Sequence, residues 1–289
     1  MGKLIDALKA DHTGSVNKNG YFDSYKKNIF KGEMDPRFQE MFDEGSGGEL
    51  HSKAEAVHSS SMLSYNFFHW INDSHPFEWD GVKYTQVFFE VKMKTIKGSQ
   101  APANMDVVLV GKDNNNERCL LFIESKFTEY LENKNKVISG SYKDGNRWYN
   151  KDINWKEIVE YVPDKKYKYK EGVKQLITHL FGIHSQFTEV ICDTFTKIGI
   201  DYFKSVDLKF ITLIFEPSKE KFMEEHEAFE DYKNLFVDFI GKIKKINGLK
   251  VLPEWVSYSE IWEEMKGQLP KGLEDYLWKR YMQFAQKND

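Results

Sequence analysis

Apolar and polar residues along this chain alternate with a period that shifts from helical to extended and back. Short amphipathic patches at Leu4 to Leu8, Tyr21 to Phe30 and Phe38 to Phe42 are separated by polar breaks and close on a loop at Gly45 to Gly48, which predicts a helical preface. Ser59, Ser60 and Ser61 then offer capping hydroxyls ahead of Met62 to Ile71, a run too continuously apolar for a surface helix. A core helix is expected there.

From Tyr84 to Met93 the residues are β-branched and aromatic with polar alternation, and two further apolar runs follow at Met105 to Val110 and Cys119 to Ile123. Lys112 to Glu117 is rich in turn formers, so the last two runs are expected to pair as an antiparallel hairpin. Asn133 to Asn150 has no clear period and reads as a long loop placed to cover a site. Val173, Leu176, Ile177, Leu180 and Phe181 form a helical stripe, and Leu208 to Phe215 is a strand that Pro217 ends. A long helix over about Glu220 to Lys245, a strand near Leu249 to Val251 and two helical patches with Trp262 and Trp278 complete the chain. This order predicts an α/β (α+β) architecture, a mixed central sheet flanked by helices. With no internal repeat or linker, one domain is expected over 1–289, with a helical extension at 1–48, a core at 49–258 and C-terminal helices at 259–289.

Composition narrows the class. Hydrophobic residues are 40% and charged residues 30% of the 289, as in a folded globular chain. A net charge of −4 excludes a generally basic coat but leaves room for a local basic cleft. The two cysteines, Cys119 and Cys192, sit in apolar contexts and read as buried thiols, which fits a reducing cytoplasm better than a disulfide framework or a zinc site. No apolar run approaches the roughly 20 residues that span a bilayer, and the start has no signal core, so no membrane association is expected.

The chemistry concentrates on the hairpin. Asp106 opens one strand and Glu124-Ser-Lys126 closes the next, and side chains at i and i+2 share a face, so Glu124 and Lys126 can both face Asp106. Two carboxylates and the carbonyl of Ser125 suit a hard cation such as magnesium, with a lysine beside it to serve the attacking water. An ordinary ion pair at strand ends has the same spacing. The difference is context: Leu120 to Ile123 runs straight into these charges, and a charge emerging from a buried strand is costly.

Asn104 to Leu109 followed by Leu121 to Glu129 resembles the active-site hairpin of the PD-(D/E)XK nuclease superfamily, the restriction-endonuclease-like fold. Gly47 to Leu50, His58 to Ser61, Asn66 to Phe68, the Glu124 to Glu129 segment, Gln175 and His179 resemble, in the same order, an uncharacterised prokaryotic branch of that superfamily, over roughly residues 45 to 230. Met105 stands where the superfamily motif has proline. The resemblance implies that Asp106 and Glu124 bind Mg2+ (with Mn2+ as a substitute) alongside the Ser125 carbonyl, and that Lys126 acts on the water. It also implies a DNA substrate, an endonuclease concerned with restriction or defence, and a homodimer where both strands are cut. The competing reading is a nucleic-acid-binding module that kept the fold without turnover.

Around this centre the resemblance allows a further carboxylate from a preceding helix, Glu49 or Glu55, with Glu49 favoured. It also places Gln175 near the metal, with His179 one turn later. His58 to Ser61 can contact phosphate or merely cap a helix. Lys165 to Lys170 interleaves cations with tyrosines, a pattern that suits a nucleic-acid backbone but is more often a solvated face. Arg147 and Trp148 reach DNA or anchor their loop, the C-terminal aromatics pack a core or a dimer contact, and His226 reads as a surface helix residue.

Overall fold

The computed structural model describes residues 2–45, 50, 53–132, 138–167, 169–188, 193–197, 199–200, 203 and 206–287. The expected hairpin lies at the middle of a six-stranded sheet whose strands follow chain order. These are β1 (Phe77–Trp79), β2 (Val82–Met93), β3 (Ala103–Asp113), β4 (Arg118–Lys126), β5 (Asp207–Ile214) and β6 (Pro253–Ser257). Strands β1 to β4 pair antiparallel, and β5 and β6 add in parallel. Parallel strands need long crossovers. Those crossovers carry α4 (Trp155–Val159), α5 (Glu171–Ser185) and α6 (Asp193–Thr196) before β5, and α7 (Met223–Ile243) before β6.

Helices cover both faces of the sheet. On one side, α1 (Lys3–Asp11), α2 (Pro36–Glu44), α3 (Ser60–Phe68), α8 (Tyr258–Met265) and α9 (Leu273–Arg280) pack on Val107, Leu109, Leu121 and Ile123. On the other, α4, α5 and α7 pack on Val108, Val110, Leu120 and Phe122. The alternation of β3 and β4 between two hydrophobic cores follows from the two-residue repeat of a strand. Helix α3 has the predicted cap, with Ser59 Oγ accepting the Met62 N–H, and every residue from Met62 to Phe68 is buried. Gly172 lets α5 approach α7, since a Cβ there would collide with the Tyr232 ring.

Several elements differ from expectation. The last strand lies at Pro253–Ser257 and not at Leu249 to Val251; it is an edge strand, and a proline at its first residue costs no ladder bond on the solvent side. The preface is helical at α1 and α2, but Tyr21 to Phe30 holds isolated bridges and a 3-10 turn at Tyr25–Asn28. The short strand β1 was not foreseen. Of the long loop, the described part, residues 138–150, folds into 3-10 turns tied to the segment after β2 by the Thr95–Tyr142 hydroxyl pair at 2.8 Å and by an Ile96–Trp148 bridge. No helix among the described residues is long and apolar enough to cross a membrane.

His184 ties α5 to the chain before β6: Nδ1–H donates to the Leu180 carbonyl at 2.8 Å, and Nε2 accepts the Lys250 N–H at 2.9 Å. Burial lowers its pKa to about 4. Below pH 6.5 the unfolded chain takes a proton here that the folded chain refuses, so the stability is full above 6.5 and drains away as pH falls to about 4. That is about 3 kcal/mol for one site. Thermal melts from pH 7 to 4.5 should show this slope, and His184→Gln, which keeps an acceptor for Lys250, should flatten it.

Candidate active site

The end of the β3–β4 hairpin opens into a cleft of about 540 Å³. Its walls include Asp106, Glu124, Ser125, Lys126, Glu90, Asn104 and Gln175, together with His58, Ser59, Ser60 and Ser61 at the start of α3. Thus the hairpin residues, the serine run and Gln175, far apart in sequence, share one concavity.

Register explains the centre. The last regular rung of the β3–β4 ladder pairs Val107 with Ile123, and one rung further Asp106 stands opposite Glu124. Asp106 Oδ2 accepts the Ser125 N–H at 2.6 Å, a bond across the two strands where the regular ladder stops. Glu124, only 2% exposed, has its Oε1 in contact with Lys126 Nζ and its Oε2 3.2 Å from His179 Nδ1 on α5. Ser125 points the other way, its hydroxyl 2.8 Å from that of Tyr258. The i, i+2 rule therefore holds: Glu124 and Lys126 share the cleft face, and the residue between them packs behind.

These charges are out of balance. Burial pushes the Asp106 carboxyl well above the usual range, Glu124 and Glu90 push it further, and Lys126 with the Ser125 N–H only partly compensates. For Lys126 burial favours the neutral amine, yet Glu124 foremost, then Tyr169, Glu129 and Asp106, reverse this and hold the ammonium well above its ordinary pKa. Burial lowers the pKa of His179, against the pull of Glu124. The cleft thus holds a firmly charged ammonium and more carboxylate than it neutralises. Such a donor set, hard oxygens in partial burial, fits a divalent cation.

Glu90 was missed by sequence reading. It lies between the rungs Phe89–Val107 and Val91–Met105, which puts it opposite Asp106 on the other flank. Its φ is +51°, in the left-handed region that a glutamate seldom adopts within a strand. The strands change sides at this rung: Val87 and Phe89 belong to one core and Val91 and Met93 to the other, as do Val107 and Met105 on β3. Gly45 packs on the Glu90 side chain, where an added Cβ would meet Glu90 Cβ at 3.0 Å. A glutamate inside Val87-Phe-Phe-Glu90-Val91 carries the signal that singled out Glu124, a charge in an apolar strand.

The remaining nominations separate. Glu49 lies outside the described residues, as do Cys192 and Lys168. Glu55 sits in a 3-10 turn whose neighbours Lys53 and Ala56 line the cleft, but it is not among the lining residues. Gln175 lines the cleft, its Oε1 3.4 Å from the Tyr169 hydroxyl. His179 is packed beneath Glu124. Within the Lys165 to Lys170 run, Tyr167 and Tyr169 are buried, the former against Asp238 and the latter in the cleft wall, so the tyrosines of the described part serve packing. Arg147 donates to the Lys97 carbonyl at 2.8 Å and Trp148 to that of Tyr142, which anchors their loop. Trp262 is buried, whereas Trp278 is 43% exposed. Cys119 is a buried free thiol. His226 corrects the surface reading, being 8% exposed and hydrogen-bonded to Pro217.

A family model described as "Restriction Endonuclease associating with ARP" matches residues 6–282. No curated protein and no solved structure matches the chain.

Proposed function

The chain belongs to the family of restriction endonucleases associating with ARP, and from that premise we propose that it is a metal-dependent endonuclease of the PD-(D/E)XK type that hydrolyses DNA phosphodiester bonds. The observation that carries this is the rung of Asp106 and Glu124 with Lys126 beside it in an open cleft. In this reading Asp106, Glu124 and the Ser125 carbonyl hold Mg2+ or Mn2+, and Glu90 supplies the further carboxylate sought at Glu49 or Glu55. A divalent cation bound there would acidify a water and offset charge on the phosphate.

The chain's own groups do the rest. Glu124 holds the Lys126 ammonium in one place, so that it donates to the attacking water or to the developing charge without reorganising. The α3 amides and the hydroxyls of Ser60 and Ser61 point a helix N-terminus into the same cleft, which suits a phosphate of the bound strand. Gln175, placed by α5 beside Tyr169, offers its amide to the same cleft. Burial of Glu124 and His179 keeps bulk water from behind the site.

As biological context we propose a cytoplasmic, single-domain protein of defence against foreign DNA, acting as a homodimer when both strands are cut, with association with ARP as its family's description states. The test is incubation of supercoiled and linear DNA with the purified protein in Mg2+, in Mn2+ and in EDTA. Nicking or linearisation should require the metal, and Lys126→Gln should slow it by about 10²-fold or more. DNA retention in a gel shift with no cleavage in either metal would overturn the proposal in favour of a binding-only protein.

A further inference from the structure

A second concavity, of about 300 Å³, lies across the first turns of α5 from the cleft. Successive helical residues turn by about 100°, so Glu171 and Gln175 line the cleft while Lys170, Val173, Lys174 and Ile177 line the other side. The rest of this groove is Ile138, Lys143 and residues 159–163, the stretch that ends α4 and leads on to the run of lysines and tyrosines. One helix, about 10 Å across, thus divides the two openings.

The groove combines apolar walls with unbalanced charge. Val173 and Ile177 are buried, Tyr161 is half-buried and packs at a steep angle on Phe239 of α7, and Val162 is 82% exposed. Among the described residues Lys143, Lys170 and Lys174 pair with no carboxylate, and Glu160 is the one acid of the lining. In a chain of net charge −4, three unpaired cations around one apolar groove are a local excess. Apolar walls with cations at their edge suit an anion that carries a flat apolar body. A nucleotide has both parts, phosphate for the lysines and a base for the wall. Intact duplex cannot use such a wall, since its base faces are stacked on one another and only the edges reach the grooves. An unstacked base can.

We propose that the groove binds an unpaired nucleotide of the DNA strand that leaves the cleft, with its base against Tyr161 and Val162 and its phosphates on Lys143, Lys170 and Lys174. The preferred substrate then carries single-stranded DNA beside the cut. This rests on the reading of the cleft as a nuclease centre, because that centre brings the strand to α5, and a strand crosses one helix width within a few nucleotides. The Lys165 to Lys170 run gains a use as well: Tyr167 and Tyr169 pack inward, and Lys170 at its end reaches the groove.

The experiment is fluorescence anisotropy of a labelled single-stranded oligonucleotide and of the matching blunt duplex, with the full-length protein in EDTA. The single strand should bind about 10-fold or more tighter than the duplex. Lys170→Gln with Lys174→Gln should weaken it about 10-fold and reduce the slope of log affinity on log salt by about 0.7 for each lysine. Val162→Asp should weaken single-strand binding about 10-fold, whereas Val237→Asp, the same change at an exposed position of α7 outside the groove, should leave it within about twofold. Equal affinity for strand and duplex overturns the proposal. So does unchanged affinity in either groove variant, and if only Val162→Asp is without effect the groove is a charged face or a dock for an acidic protein segment. Binding is read without metal, so the two readings fail separately. Cleavage by a wild type with no single-strand preference sinks the groove alone, and an inert cleft with the preference intact sinks the nuclease alone.

Discussion

Asp106→Asn is expected to reduce DNA cleavage by about 10³-fold or more and, in the same protein, to raise the melting temperature by a few degrees. The two effects have one cause. The Asp106 carboxyl is buried and faces Glu124 and Glu90, so its folded pKa lies above its unfolded one. For an acid shifted upward the sign is adverse. Above the unfolded pKa the folded chain must either carry an uncompensated charge or retain a proton that the unfolded chain has released, and stability falls as pH rises through that window. Asparagine removes the charge and keeps an oxygen to accept the Ser125 N–H, the one bond the side chain makes across the strands. On the proposed function a cation ligand is lost, and a repulsion goes with it. Cleavage assays beside metal-free melts at pH 7.5 check both halves. A variant that lost activity together with several degrees of stability would show Asp106 to be a structural group and not a poised one.

The trade between stability and function is visible elsewhere in the cleft. Glu90 is held in a left-handed conformation, and both β2 and β3 change cores at the rung it shares with Asp106. Regular strands would have continued both opposed carboxylates into the layer that holds Phe88 and Val108. The local break turns them toward the opening instead, at a backbone cost that the surrounding packing sustains.

This break also marks where sequence reading stops. The β3–β4 hairpin was legible because a period of two is imposed by the strand itself and Lys112 to Glu117 supplies turn chemistry. Asp106, Glu124 and Lys126 followed from that pairing. Glu90 did not, although it sits in the same kind of apolar run, because a strand's period gives no notice of a residue with positive φ. The resemblance points instead to a helix, at Glu49 or Glu55, for the further carboxylate. The last strand was displaced to Pro253–Ser257 for a related reason: proline argues against a central strand, and only the finished sheet shows that this one is at an edge. His226 was readable but misread. It lies three residues before Phe229 on the stripe that continues through Tyr232, Phe236 and Phe239, so the helical period places it on the buried side of α7.

The largest stability effect should come from Glu124. Lys126 is 4% exposed, and Glu124 is the foremost group that keeps its ammonium charged against burial. Glu124→Ala withdraws that partner and leaves the cation with Tyr169, Glu129 and Asp106, which rank behind Glu124 in holding its charge. Breaking a buried pair from one side costs about 3–5 kcal/mol, because the remaining charge keeps its desolvation penalty and loses its compensation. For a chain of this size that corresponds to a fall in melting temperature of roughly 6–20 °C. Replacing both members changes the arithmetic. Glu124→Met with Lys126→Met fills similar volume without either charge, and should recover most of the loss while remaining inactive. Chemical denaturation of the two single variants and the double variant measures the coupling directly. A double variant as unstable as Glu124→Ala would mean that side-chain packing, and not the ion pair, is what Glu124 contributes, and the view of Lys126 as a charge held in place by its neighbour would have to be abandoned.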